Sequence, residues 1–244
     1  MTSHVTMCSD KVSNDSLRHS GRAVIRGNTH MNLYLSSYKL GNDLKTLKGL
    51  IPVGNRKAAF IPNALDFSTD SERREKSERS DIEDLSSLGL DVERLDLRDY
   101  FGLQSALETK LGEFGVIWVR GGNAFVLRRA MKKSGFDAII RRLSRNKELL
   151  YGGYSAGICV LAPTLKGIDL VDDPHMDPYG DTSVASFEGL GIVEYSIVPH
   201  YRSDHPESAN MEKVVEYLEK NGIRYKTLRD GDAIVSEVSR ESDV

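Results

Sequence analysis

The chain of 244 residues has two cysteines, Cys8 and Cys159, and one tryptophan. Two thiols without paired spacing exclude a disulfide framework and a cysteine-built zinc knuckle. No stretch approaches the ~18 consecutive apolar residues that a membrane helix needs, and the first thirty residues lack the apolar centre of a secretory signal. A surplus of one charge is missing too: 33 Lys and Arg stand against 36 Asp and Glu, giving a formal charge of −3. A balance of that kind argues against nucleic acid or an anionic lipid surface as a partner. Internal repeats, a G-x-G-x-x-G loop and a phosphate-binding Lys-Ser/Thr are likewise absent. What remains is a water-facing chain, expected in the cytoplasm as a monomer or homodimer.

Residues 1–30 are rich in Ser, Asn, Asp and Arg and show no periodicity. They read as a flexible leader before a single α/β domain over 31–244. From Met31 short apolar runs recur, "MNLYLSS", "KAAFIPNA", "DVERLDL", "GVIWVRGG" and "ELLYGGYSAG", each ending in small or polar residues. Between them lie helical periods, such as Phe136, Ile139, Ile140 and Leu143, or Met211, Val214, Val215 and Leu218. Continuous apolar strands alternating with helices predict a mostly parallel sheet with helices on both faces. The basic bunches "RRAMKK" (128–133) and "RRLSR" (141–145) read as solvated helix faces.

In such a sheet, ligands bind at the carboxyl ends of the strands. Gly153-Tyr154-Ser155-Ala156-Gly157 matches the sharp strand-to-helix turn that projects a nucleophilic serine above the sheet. The rival reading is a serine that merely caps a helix. Gly121-Gly122-Asn123 follows another strand, and its flexible backbone offers N–H groups that, with the amide of Ala156, would hold an oxyanion. A serine hydroxyl needs a base, since almost no alkoxide forms near neutrality. Outside the leader only His175, His200 and His205 remain, and His200 follows the apolar run "YSIVP", expected to reach the sheet edge beside the serine. An acid should orient the imidazole, and "LRDGDAIV" supplies Asp230 or Asp232. Asp172, Asp173, Asp177 and Asp181 leave the order Ser, Asp, His open as well. Ser36, Asn123 and Arg202 are candidates for contact with a substrate, and no metal or organic cofactor is expected.

Taken together, "YLSS" (34–37), "FIPNA" (60–64), "DVERLDLRD" (91–99), "VRGGNAFVL" (119–127), "GGYSAG" (152–157) and "VPHY" (198–201) resemble the peptidase E family of serine peptidases. That resemblance implies a fold like the class I glutamine amidotransferases, a flavodoxin-like three-layer sandwich. It also implies a triad of Ser155, His200 and an acid, with Gly121, Gly122 and Ala156 around the oxyanion, and a small peptide as substrate. In the family the acid is often a glutamate in a Leu-x-Glu-Gly turn; "LRDG" puts Asp230 there. Aspartyl dipeptidases of the family grip a substrate carboxylate with an asparagine before the histidine and an arginine on the helix after it. Here Val198 stands near the first position, and the 207–220 segment has no arginine. The expectation is therefore a dipeptidase-like serine peptidase. An esterase or a non-catalytic ligand-binding homologue are the alternatives.

Overall fold

The computed structural model describes residues 31–180 and 184–236. The leader expected over 1–30, with Cys8, and Asp181 lie outside them. Six strands form the main sheet: β1 (Asn32–Ser36), β2 (Lys57–Ile61), β3 (Asp91–Arg94), β4 (Val116–Val119), β5 (Leu150–Tyr154) and β8 (Ala233–Ser236). Their spatial order is β3-β2-β4-β5-β1-β8. The first five run parallel, and β8 closes the edge antiparallel to β1.

Side-chain alternation along these strands builds two cores, one on each face. Leu33, Leu35, Ile117, Val119 and Tyr151 point to one side. There they meet helices α3 (Gln104–Leu111), α4 (Ala124–Ser134), α5 (Phe136–Leu143) and α7 (Ser208–Lys220) through residues such as Leu107, Met131, Ile139 and Val214. Tyr34, Phe60, Val116 and Trp118 point to the other, against Leu47 and Leu50 of α1 (Leu44–Leu50) and Leu85 of α2 (Ser71–Ser86). The parallel sheet flanked on both faces follows from the apolar runs, as expected. So do α5 and α7: the periodic positions read from the sequence are buried in both, except Leu143, which is partly buried against the same core.

Two expectations fail. The run "YSIVP" does not join the main sheet. β6 (Ser196–Val198) pairs instead with β7 (Tyr225–Thr227) in a separate two-stranded sheet, because the main sheet's edge beside β1 is taken by β8. Arg128 and Arg129 are not on a solvated face either. Both are buried: the Arg128 guanidinium donates to the Glu188 carbonyl and pairs with Asp137, and Arg129 donates to the Pro174 carbonyl. Aliphatic stems that can lie against apolar surface, with guanidinium heads bonded to Asp137 and to the Glu188 and Pro174 carbonyls, explain how a basic run can face inward.

Candidate active site

The carboxyl ends of β4, β5 and β1, three neighbours in the sheet, open into a cleft of about 450 Å³ lined by Gly121, Gly122, Tyr154, Ser155, His200 and His205 among others. That size suits a small molecule. Ser155 ends β5 and opens the short helix α6 (Ala156–Cys159), with φ 49° and ψ −119°. Its carbonyl accepts from the Ile158 and Cys159 N–H groups, yet its side chain makes no capping hydrogen bond. The capping alternative is thereby removed, and the hydroxyl is left to the cleft. Close packing makes the turn possible: a Cβ on Gly153 or Gly157 would strike the Val119 carbonyl.

Among the described residues, the non-glycine positions with positive φ are Lys39, Ser155, His200 and Arg202. Ser155, His200 and Lys39 line this one cleft. Backbone held in so sparsely populated a region persists only where surrounding contacts enforce it, and such positions cluster at functional sites.

Those contacts are visible at His200, which is 1% exposed. Its backbone N–H donates to Ser37 Oγ at 2.8 Å, and its Nδ1 lies 2.7 Å from Asp230 Oδ1. Ser37 Oγ in turn donates to the same Asp230 oxygen at 2.8 Å. The Asp230 N–H donates to Ser203 Oγ, which fixes the turn. The His205 ring stacks on His200 with centroids 3.7 Å apart and planes 9° from parallel, while Tyr38 meets both rings from the side. Burial holds the His200 pKa below its ordinary value, the Asp230 hydrogen bond pulls it up, and His205 pushes it down. The net result favours a neutral imidazole, able to accept a proton.

Asp232 has a different partner. Its carboxylate accepts from the Arg229 N–H across the turn, 3.1 Å away, and does not meet His200. Asp172, Asp173 and Asp177 are engaged with the N–H groups of Ala124, His175 and Tyr179. Of the acids considered that lie among the described residues, Asp230 is the one that the fold brings to His200.

The backbone of Gly121 borders Ser155 so closely that a Cβ on it would come within 2.8 Å of the serine Cβ, and Gly122, which follows it, also lines the cleft. Ala156 is the first residue of α6, so its N–H has no preceding turn to pair with. These amides could stabilise negative charge developing beside the serine.

The three residues expected to touch a substrate stand elsewhere. Ser36 donates to the Tyr38 carbonyl and is fully buried. Asn123 caps α4, its Oδ1 accepting from Phe125 and Val126 and its Nδ2 donating to the Asp173 carbonyl. Arg202 pairs with Glu212 on the exterior, its guanidinium over the Tyr201 ring, and does not line the cleft. Sequence reasoning assigned no role to Ser37 or Glu207, and His205, weighed there as a base, stacks on His200 instead. Glu207, the residue before α7, lines the cleft. Among the described residues, His200, His205 and Glu207 bring donor atoms within 4.8 Å of one another. Both imidazole Nδ1 atoms already have partners, Asp230 and the Glu207 N–H. Cys159 is buried, its thiol pKa is pushed up by burial, and it is removed from this chemistry.

Comparison with known proteins follows the same lines. Peptidase E of Streptomyces coelicolor is 31% identical over 209 residues, covering 82% of this chain and 76% of that protein. A Drosophila melanogaster protein named "Probable alpha-aspartyl dipeptidase" is 32% identical over 132 residues, about half of each chain (52% and 52%). A crystal structure described as a candidate peptidase E protein from Listeria monocytogenes EGD-e superposes with a TM-score of 0.62 at 24% identity, covering 86% of this chain and 99% of the other. That last likeness carries the fold alone. The family model for peptidase family S51 matches residues 34–241, and on that match the chain belongs to peptidase family S51.

Proposed function

We propose that this protein is a dipeptidase-like serine peptidase that works through an acyl-enzyme on Ser155, with N-terminal Asp-Xaa dipeptides as the first substrates to try. One observation carries the reading. His200, its Nδ1 2.7 Å from Asp230, shares a cleft with a strained serine whose hydroxyl caps nothing. Family membership and the names of the Streptomyces and Drosophila relatives support the choice of peptide over ester.

In this mechanism His200 Nε2 takes the Ser155 hydroxyl proton as Oγ attacks the scissile carbonyl. The N–H groups of Gly121, Gly122 and Ala156 hold the oxyanion, and Asp230 stabilises the imidazolium that forms. His200 then gives the proton to the leaving amine and the C–N bond breaks. Water, deprotonated by the same imidazole, frees the acid and restores the serine. The chain's own groups suffice for every proton transfer. A panel of dipeptides with acidic, neutral and basic first residues, run on the native protein and Ser155→Ala, tests the reading. Hydrolysis that falls by several orders of magnitude in the variant supports it, and hydrolysis that survives the substitution ends it.

A further inference from the structure

Four cations, Lys39, Arg73, Arg74 and Arg120, line the cleft, and one of them is incompletely bonded. Among the described residues lining the cleft, only Arg120 has buried side-chain nitrogens without a partner, Nε and Nη1. Its third nitrogen is anchored: Nη2 donates to Ser77 Oγ at 2.9 Å and lies 3.4 Å from Asp81 Oδ2. The side chain is 4% exposed, so bulk water does not take the place of the missing acceptors.

Asp81 cannot neutralise this guanidinium alone. Its Oδ1 is held by Lys39 Nζ at 2.5 Å, and its Oδ2 also accepts from the Tyr154 hydroxyl at 2.8 Å. Lys39 has a second carboxylate in Asp84, 3.9 Å away, whereas Asp81 is the carboxylate within ion-pair reach of Arg120, and Arg73 and Arg74 of α2 line the same cleft together with Asp70 and Glu207. A buried cation with unmade hydrogen bonds is costly unless something supplies both acceptor and opposite charge. Placement gives the reason to keep it. Arg120 directly precedes Gly121, whose backbone touches Ser155, so the stem of the guanidinium is rooted one residue from the serine.

We infer that Arg120 is a specificity-determining residue that anchors a carboxylate of the substrate beside Ser155. A carboxylate oxygen supplies the acceptor and the charge together, which an amide carbonyl does not. In a dipeptide that carboxylate has two sources: the side chain of the residue whose carbonyl is attacked, or the free C-terminus. The inference rests on the peptidase reading for turnover, and not for binding.

The test compares kcat/KM for Asp-Leu, Asn-Leu, Asp-Leu-amide and Asn-Leu-amide on the native protein, Arg120→Lys and Arg120→Gln. Removing the anchored carboxylate should cost the native protein roughly 10- to 100-fold, and the same change should cost Arg120→Gln less than about threefold, with Arg120→Lys between them. Sensitivity to the Asp-to-Asn change identifies the side chain as the source, and sensitivity to amidation identifies the C-terminus. Each ratio comes from one preparation, so a partly unfolded variant does not distort it. Native ratios near one for both changes, or a native ratio kept by Arg120→Gln, overturn the inference. If the native protein cleaves none of the four, the peptidase reading fails separately, and calorimetric binding of the same peptides reads the same ratios. Equal affinities in native and Arg120→Gln protein, or no binding at all, would then overturn the anchor.

Discussion

Ser37 and Asp230 meet through a single hydrogen bond, Oγ to Oδ1 at 2.8 Å, on the same carboxylate oxygen that faces the His200 imidazole. Because Ser37 Oγ also accepts the His200 backbone N–H, one hydroxyl ties both residues to the end of β1. Ser37→Ala should leave the His200 N–H unsatisfied and Asp230 free to turn. We expect kcat to fall about tenfold and stability to drop by about 1 to 2 kcal/mol. Steady-state kinetics beside thermal melts will read both, and a variant with native kcat removes the positioning role.

Activity should survive at lower pH than an ordinary histidine allows. Burial lowers the His200 pKa, so the proposed base stays neutral below the usual value near ~6.5. The acid limb of kcat/KM should therefore have its midpoint under that value. The sign for stability follows: the unfolded chain binds this proton first, so folding free energy is lost as pH falls from about 6.5 toward the depressed value. A limb centred above 7 contradicts the environment described.

Asp230 and Asp232 lie two residues apart with opposite expected consequences. Asp230→Ala should cost roughly 10³- to 10⁴-fold in kcat, as removal of an orienting acid does. Asp232→Ala should remove the cap on the Arg229 N–H, lower stability by about 1 kcal/mol and leave kcat within a few-fold. Kinetics of the two variants under one set of conditions decide the assignment, and a reversed order sinks it.

Asp172 accepts the Ala124 N–H at 2.8 Å, yet burial raises its pKa to about 7. The folded chain then holds a proton that the unfolded chain has lost between about pH 4 and 7, so stability falls as pH rises through that window. Asp172→Asn carries no charge to bury. It should melt higher than the native protein at pH 8 by an amount on the order of 1 kcal/mol, kept small because the residue is partly exposed to water, and the gap should close near pH 4. Melts at both values check the difference, and a constant gap refutes it.

Gly157→Ala should be among the most damaging small substitutions in the chain. Its Cβ would meet the Val119 carbonyl of the neighbouring strand, which cannot move aside as a side chain can. Overpacking of this kind costs about 1 to 3 kcal/mol, and the turn carrying Ser155 shifts with it. Loss of activity in a still-folded variant, read by circular dichroism and assay together, is the expected result.

The sheet, the flanking helices and the turn at Ser155 were legible because each rests on a local pattern: an apolar run, a helical period, a glycine-flanked serine. His200 lines the same cleft although the run before it pairs with β7 and not with the main sheet. Ser37 was not legible. The sequence offers two adjacent serines, and a difference of one residue sends Ser36 to the Tyr38 carbonyl and Ser37 to Asp230. The place of His205 was not legible either, since its stacking on His200 depends on the turn through residues 200–205 and not on composition. The inward-facing Arg128 and Arg129 and the separation of β6 from the main sheet depend on long-range partners, Glu188, Pro174 and β7, which no window of sequence contains.

The edge strand β8 has a consequence in time. Asp230 lies at the turn leading into it, and the register of β8 on β1 pairs Ala233 with Ser36. The acid therefore reaches the imidazole across 30 residues, and Ser37 reaches the acid across 193. During synthesis from the amino end, Ser155, His200 and the glycines can all have left the ribosome while the carboxylate is still absent. A nascent chain holds the serine and the base without the group that orients them, and that arrangement closes only when β8 docks.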